Sequence, residues 1–411
     1  MAHQVRNDGG MTQSSGPSRL SAAYWRMTGA TGLNAVGQGA FAAAVPLLAA
    51  TITSDPRMIS GVLASVYLPW LVLSLPVGAF VDRYDRARLL WCSQALQAVI
   101  AGIIALLVAL GSLDITRLLL LTFALGACQV MVGNAAQTIL PDIVEKRSLH
   151  MANGYQQTAT NVGQQFVGPP IGSFFFAVAI ALPFGVEVAA LSLASVLLFA
   201  LPRAHSHQVT HPRLGRAMAD GLRWLASHRL LRTLAILLGV NTFCFHLGNA
   251  TLVLFATQTL HVDPTGYGFL LAAAAVGGVL AGLVCSRIVN VVGDRAALLG
   301  APGSNVIVFI AIELSPNSIV LGILLAVNGF STIIWNIITV SLRQHIVPAS
   351  LLGRVNSVYR MIGWGLIPLG ALTGGFLAYQ LGLRAPYPVG GVIRGASLLI
   401  ALPVIMRTMR A

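Results

Sequence analysis

Only 12 of the 411 residues are acids, and proton chemistry that needs a carboxyl group must draw on them. Glu187 and Glu313 alone fall within or beside long apolar runs, and Glu313 is followed closely by a Ser-Pro-Asn turn. The cost of charging a carboxyl group depends on whether water reaches it, so Glu187 is a candidate proton carrier. A structural or entrance role is the competing reading. His246, inside another apolar run, is the second candidate because imidazole titrates near neutrality; a hydrogen-bonded core histidine is its alternative. A third concentration of charge is the stretch GAFVDRYDRARLL, residues 78–90, which packs Asp82, Arg83, Asp85, Arg86 and Arg88 into seven residues. It reads either as a solvated turn or as a set of ion pairs that forms and breaks.

Other chemistries lack their parts. Lys146 is the only lysine and follows Glu145, so no Gly-Lys-Ser/Thr phosphate loop exists. Cys92, Cys128, Cys244 and Cys285 stand singly in apolar runs without metal-ligand or disulfide spacing. No Ser/His/Asp arrangement suggests an enzyme, and no metal or cofactor is expected. The apolar runs do carry many amides: Asn34, Gln38, Gln129, Asn134, Gln137, Gln157, Asn161 and Gln164, then Asn241, Asn249, Asn328 and Asn336. Tyr67, Trp70, Phe243, Phe245, Trp335 and Trp364 could stack on a ligand, although packing or lipid contact explains each equally well.

Composition says what must position these groups. Hydrophobic residues make up 56% of the chain and charged residues 9%, against about 25% charged in a soluble protein. The expected fold is therefore an all-α integral membrane protein. A span needs about 20 apolar residues. Twelve such segments can be drawn: 27–51, 58–81, 89–111, 115–138, 152–180, 183–201, 233–258, 266–288, 296–314, 317–342, 356–380 and 389–406.

Residues 1–26 read as a disordered polar terminus. Residues 202–232 read as a linker whose second half is an amphipathic helix lying on the membrane surface. The three histidines in HSHQVTH belong to that solvated linker. The linker separates two bundles of six helices, 27–201 and 233–411. With both termini inside, 21 of the 25 basic side chains fall on the cytoplasmic face, leaving Arg57, Arg117, Arg384 and Arg394 outside or near the outer face. The net charge of +13 thus reflects topology and anionic lipid rather than nucleic acid.

The halves echo each other. At an offset of 203, IVEKRSLHMAN (143–153) aligns with IVPASLLGRVN (346–356), and at 204 Gly78 and Arg83 meet Gly282 and Arg287. Duplicated six-helix halves are a transporter architecture, with the substrate site between them. Here the chain resembles the major facilitator superfamily over nearly all its length beyond residue 20. Gly78, Asp82, Arg83, Arg86 and Arg88 fit its motif between helices 2 and 3, with Asp85 in place of a glycine. GQQFVGPPIGS resembles its antiporter motif through Gly168, Pro169 and Gly172; Gly163 is adjacent to the first glycine position, and Ser173 replaces the last. Within the superfamily, LPWLVLSLPVGAFVDRYDRARLL and LLGRVNSVYRMIGWGLIPLGALTGG look most like the enterobactin-exporter and macrolide-efflux branch.

The resemblance implies a conformational latch at Gly78, Asp82, Arg83, Arg86 and Arg88, with a reduced echo at Gly282 and Arg287, where Ser286 replaces the acid. It implies that the helix 5 glycines permit close packing against the opposite half. It further implies proton-coupled efflux of an amphiphile (a drug, siderophore or secondary metabolite) from the inner membrane of a bacterium, by a monomer. Related exporters carry acids near Gln38, Gln129 and Asn134, where this chain has amides. Uptake or facilitated diffusion of a small metabolite, and a non-transporting receptor or scaffold, are the alternatives.

Overall fold

The computed structural model describes residues 21–81, 84–144, 148–199 and 214–408. They fold as α-helices without strands, and eleven of the helices are long and apolar enough to cross a membrane. In the first half these are α1 (Ala22–Ile52), α2 (Pro56–Val81), α3 (Arg86–Ala109), α4 (Ile115–Ile143) and α7 (Leu182–Phe199). Between α4 and α7 runs a broken helix: α5 (Leu149–Asn161), a π-helical turn (Val162–Val167) and α6 (Gly168–Val178).

The amphipathic α8 (Leu214–Ser227) leads into the second half. There α9 (Arg229–Asn249) continues through the short α10 (Leu252–Leu254) and a π-turn, followed by α11 (Pro264–Val292), α12 (Asp294–Glu313), α13 (Ser318–Ile346), α14 (Ala349–Leu381) and α15 (Pro386–Thr408).

Local signals set the ends. Side chains of Ser21, Asp85, Asp114, Asp263 and Asn317 cap α1, α3, α4, α11 and α13 by accepting from otherwise orphaned backbone N–H groups. Gly293 (φ +83°) and Gly382 (φ +94°) end α11 and α14 in a left-handed conformation that suits glycine.

Several helix ends lie outside their expected bounds, α14 starting at Ala349 rather than 356. Residues 22–26 belong to α1 rather than to the polar terminus, because Tyr24 is buried and donates to the Ala152 carbonyl at 3.0 Å. Likewise α9 starts at Arg229, not 233, with His228 capping it.

The two halves pack alike. In the first, α1 lies on α7, α7 on α3, α3 on α4 and α4 on α2; in the second, α9 lies on α15, α15 on α12, α12 on α13 and α13 on α11. Tyrosines tie equivalent pairs: Tyr24 of α1 to α5, and Tyr359 of α14 to the Leu231 carbonyl of α9 at 2.6 Å. Across the halves, α2 meets α14 and α6 meets α11. A small-residue surface lets helices come this close in a membrane, where the hydrophobic effect does not drive them together.

Candidate functional site: a cavity between the halves

The inter-half contacts concentrate at one end of the molecule. There a Cβ on Gly375 of α14 would sit 2.6 Å from the Ser60 Cβ of α2, and a Cβ on Gly268 of α11 would sit 2.6 Å from the Ser173 Cβ of α6. Arg57 of the first half stacks over the Tyr379 ring of the second, 3.6 Å from its centroid. One apolar cluster spans both halves at this end, including Phe41, Leu48, Leu252 and Tyr267.

The opposite end, which carries the α2–α3 turn and α8, is open. Gln157, Thr158 and Asn161 of α5 and Ser286 and Arg287 of α11 are exposed there, and a Cβ on Gly154, Gly282 or Gly353 would meet nothing within 4 Å. The molecule is thus closed at one end and open at the other.

At the closed end Arg57 also holds Asp55, through contacts of 2.7 to 3.2 Å, and this hydrogen bonding lowers the Asp55 carboxyl from its ordinary value. A lowered acid contributes its stabilisation above the unfolded value of about 4 and loses it as pH falls through the folded value. The stacking of Arg57 on Tyr379 needs no carboxylate and survives that titration. Arg57→Ala is accordingly expected to loosen the closed end at neutral pH, read as a broader or longer distance between spin labels on α2 and α14; acidification alone leaves that distance unchanged.

Midway lies a cavity of about 340 Å³ between the halves. Of the amides singled out in the sequence, Gln38, Gln129, Gln164, Asn249 and Asn328 line it, as do His246 and Tyr67. Gln165 and Thr332 line it too and were not anticipated. Its remaining wall is mostly aliphatic and aromatic, and among the described residues it includes no acid, lysine or arginine. Such a surface solvates polar groups by hydrogen bonding while accepting apolar bulk.

The other expected pore residues take other places. Asn34 accepts from Gln38 Nε2 at 3.2 Å, so it supports a cavity residue from one turn away. Asn134 is bonded to its own helix at Val130, and Gln157 and Asn161 bond each other at 2.9 Å toward the open end. The Asn241 carbonyl accepts from Arg394, and the Asn336 side chain is exposed beside the cavity-remote Thr339 turn. Trp335 is a core residue of the second half, 5% exposed, in the apolar cluster that also holds Leu231, Ala281 and Val358. Trp364 meets Trp70 across the halves, centroids 4.3 Å apart, rather than lining the cavity. The Gln137 side chain lies outside the described residues.

Asn305, which the sequence did not flag, is 2% exposed and accepts from Asn328 Nδ2 at 3.1 Å while donating to Thr332 at 3.3 Å. It fixes two cavity residues from behind.

Two charged side chains are buried among the described residues, and they occupy matching places. Glu187 on α7 (3% exposed) lies behind α1: a Cβ on Gly37 would collide with its carboxylate, whose Cδ would be 3.2 Å away. Among the described residues Glu187 Oε2 has no hydrogen-bond partner, and Gln38, the next residue on α1, faces the cavity. On α15, Arg394 (5% exposed) lies behind α9, donating to the Asn241 carbonyl at 3.1 Å and stacking 3.8 Å over Phe309. This corrects its expected position near the outer face: α15 begins at Pro386, so Arg394 sits two turns inside the bundle. His246 is close by on α9, between Tyr67 (6.0 Å between centroids) and Phe245 (5.1 Å).

The glycines of GQQFVGPPIGS do not face the opposite half. Positions for Cβ atoms on Gly163 and Gly168 would lie 2.8 Å from Ala35 Cβ and 2.6 Å from Gly39 Cα, and Gly172 would meet Ala40 Cα at 2.6 Å. They form a backbone-to-backbone seam with α1 of their own half. Contact with the other half falls to Ser173, the residue in place of the last motif glycine, against Gly268. Pro169 and Pro170 supply no N–H to the preceding turn, and the π-turn 162–167 absorbs that loss.

Asp82 and Arg83 of the expected latch lie outside the described residues, as do the surroundings of Gly78 and the side chain of Arg86. Arg88 is exposed, and a Cβ on Gly282, the echo of Gly78, would meet nothing within 4 Å. Asp85, the departure from the glycine of the motif, has a clear local role, because its Oδ1 accepts from Arg88 N at 2.8 Å and caps α3. Asp85→Ala is expected to destabilise the protein by about 1 kcal/mol, seen as a lower thermal midpoint, with Asp85→Asn close to wild type.

Comparison with known proteins agrees with this architecture. Residues 20–411 match the major facilitator family described as transmembrane secretion effector. Multidrug efflux pump Tap of Mycobacterium tuberculosis is 28% identical over 396 residues, covering 92% of this chain and 89% of the relative. Macrolide efflux protein A of Streptococcus pyogenes is 20% identical over 346 residues, covering 80% and 82%. Among solved structures, the nucleoside transporter NupG superposes with a TM-score of 0.69 at 12% identity, covering 95% of this chain and 100% of that one. A bacterial homologue of the lysosomal transporter Spinster does so with 0.67 at 13% identity, covering 93% and 94%.

Proposed function

The chain belongs to the major facilitator superfamily, as a transmembrane secretion effector, and on that premise we propose that it exports an uncharged amphiphile by alternating access, driven by proton entry. The observation that carries this reading is the cavity itself: both halves line it, one end is sealed, and its polar groups are amides, the hydroxyls of Tyr67, Tyr267 and Thr332, and an imidazole. Two relatives described as efflux proteins support the outward direction, as does the helix 5 motif.

The open end is the cytoplasmic one. Arg88, Arg223, Arg229, Arg232, Arg287 and Arg407 are exposed around it, as the bias of basic residues toward the cytoplasm demands. Both termini then lie inside, and the protein sits in the cell membrane of a bacterium. The cavity is complete within one chain, which supports a functional monomer.

Glu187 is the proton site of this mechanism. It contacts α1 directly behind Gln38, so a change in hydration of the α1–α7 seam is linked to gain or loss of its proton. Substrate in the cavity and proton on α7 act on the same helix at consecutive residues, Gln38 and Gly37. Gradient-independent exchange of a small metabolite would point instead to facilitated diffusion.

The alternation has a direct test. Spin labels at Gly154→Cys and Gly282→Cys report the open end; a bound macrolide with a proton gradient should add a shorter distance population. A single unchanged distance under every condition contradicts alternating access.

A further inference from the structure

A second cavity, a groove of about 410 Å³, lies on the outside of the second half, where α8, α9 and α14 meet. Leu222, Leu225 and Ala226 of α8 form one wall, and Ile362 and Leu366 of α14 form another. Its floor is the face of α9 running from Arg232 through Ile236 to Val240. Among the described residues Arg232 is the only charged or polar side chain in the lining.

The layout is directional. Arg232 stands near the start of α9, beside the surface helix, and Val240 lies about 12 Å deeper at 1.5 Å per residue. Gly239 sets the depth, because a Cβ there would lie 2.9 Å from Leu366 and 3.0 Å from Ile362; the two long helices meet at that point and the slot ends. Arg232 Nη1 donates to the Ala226 carbonyl at 2.8 Å, which holds the guanidinium at the mouth while the side chain stays exposed. Arg223 and Arg229 are exposed at the same corner, whereas the acid of α8, Asp220, is engaged by Arg354 at 3.3 Å and Arg223 at 3.8 Å. A basic mouth at headgroup level and an apolar slot pointing into the bilayer together match one class of molecule, an anionic phospholipid.

We propose that this groove binds an anionic phospholipid, with one acyl chain in the slot between α9 and α14 and the phosphate at Arg232. Because α8 is also tied to α14 by the Asp220–Arg354 pair, and a Cβ on Gly221 would sit 2.9 Å from the Arg354 carbonyl, the lipid braces the linker helix against the second half. The site is separate from the central cavity and stands or falls independently of the transport reading.

The test uses the full chain, purified and delipidated, with phosphatidylglycerol or phosphatidylcholine of identical acyl chains, and retained lipid counted by native mass spectrometry. Wild type should retain phosphatidylglycerol in preference. Arg232→Gln should lower that preference about fivefold, the effect of one basic side chain at an anionic surface, and Arg232→Lys should restore most of it. Ile236→Trp, placed at an exposed position of the slot, should reduce retention of both lipids. Glycerol phosphate, a headgroup without a tail, should not bind. Equal retention of the two lipids by wild type overturns the proposal, as does wild-type retention by both Arg232→Gln and Ile236→Trp. Displacement of the lipid by a transported amphiphile would also overturn it, by assigning the groove to substrate.

Discussion

Glu187→Gln is expected to abolish proton-driven accumulation of substrate, to the level seen when a protonophore dissipates the gradient, while substrate binding persists. The glutamine keeps the shape of the side chain and its contact with α1 at Gly37 but cannot exchange a proton at that place. Cavity residues such as Gln164, Asn249 and Asn328 are untouched, so binding measured by thermal stabilisation stays near wild type. A second variant probes the same geometry from the other side. Gly37→Ala leaves the carboxyl chemistry intact but puts a methyl group where the carboxylate lies, 3.1 Å from Ala190 Cβ. It is expected to impair coupling as well. If Glu187→Gln pumps normally, the proton travels elsewhere, and His246 is the next side chain to test.

Gly168→Ala carries the second large effect. The added methyl group would lie 2.6 Å from both Gly39 Cα and the Val36 carbonyl oxygen, and neither neighbour is a side chain that can turn away. Overpacking of a close-packed interface costs about 1–3 kcal/mol. A backbone-to-backbone contact puts this variant at the upper end. Gly154→Ala, one helix segment earlier on α5, meets nothing within 4 Å and gains helix propensity of about 1 kcal/mol. The pair should therefore diverge in thermal midpoint: Gly168→Ala lower, Gly154→Ala equal or higher. Equal midpoints would mean that α1 and the broken helix are not locked along this seam.

The elements themselves were largely legible in the chain because membrane helices announce themselves by length and apolarity, and the polar linker divides them plainly. Helix ends were less so. Tyr24 and Arg229 look like parts of polar segments until their partners, Ala152 and the packed start of α9, are known.

The site was readable by type but not by facing. An amide in an apolar run is visible, but whether it turns to the cavity, as Gln164 does, or to its own helix, as Asn134 does, is decided by neighbours far away in sequence. Arg394 shows the same limit: its partner Asn241 lies 153 residues away, and a lone arginine followed by small residues looks like the edge of a span. The motif glycines were read as a close-packing device against the opposite half, but they pack on α1 of their own half, a partner set by contacts more than a hundred residues away in sequence.

The most direct test of the account is accumulation of a labelled macrolide by inverted membrane vesicles from cells producing this protein. The account predicts uptake that appears on energisation, collapses with a protonophore, and is lost in Glu187→Gln vesicles with equal protein content. Uptake that ignores the proton gradient, or that Glu187→Gln supports as well as wild type, would contradict it.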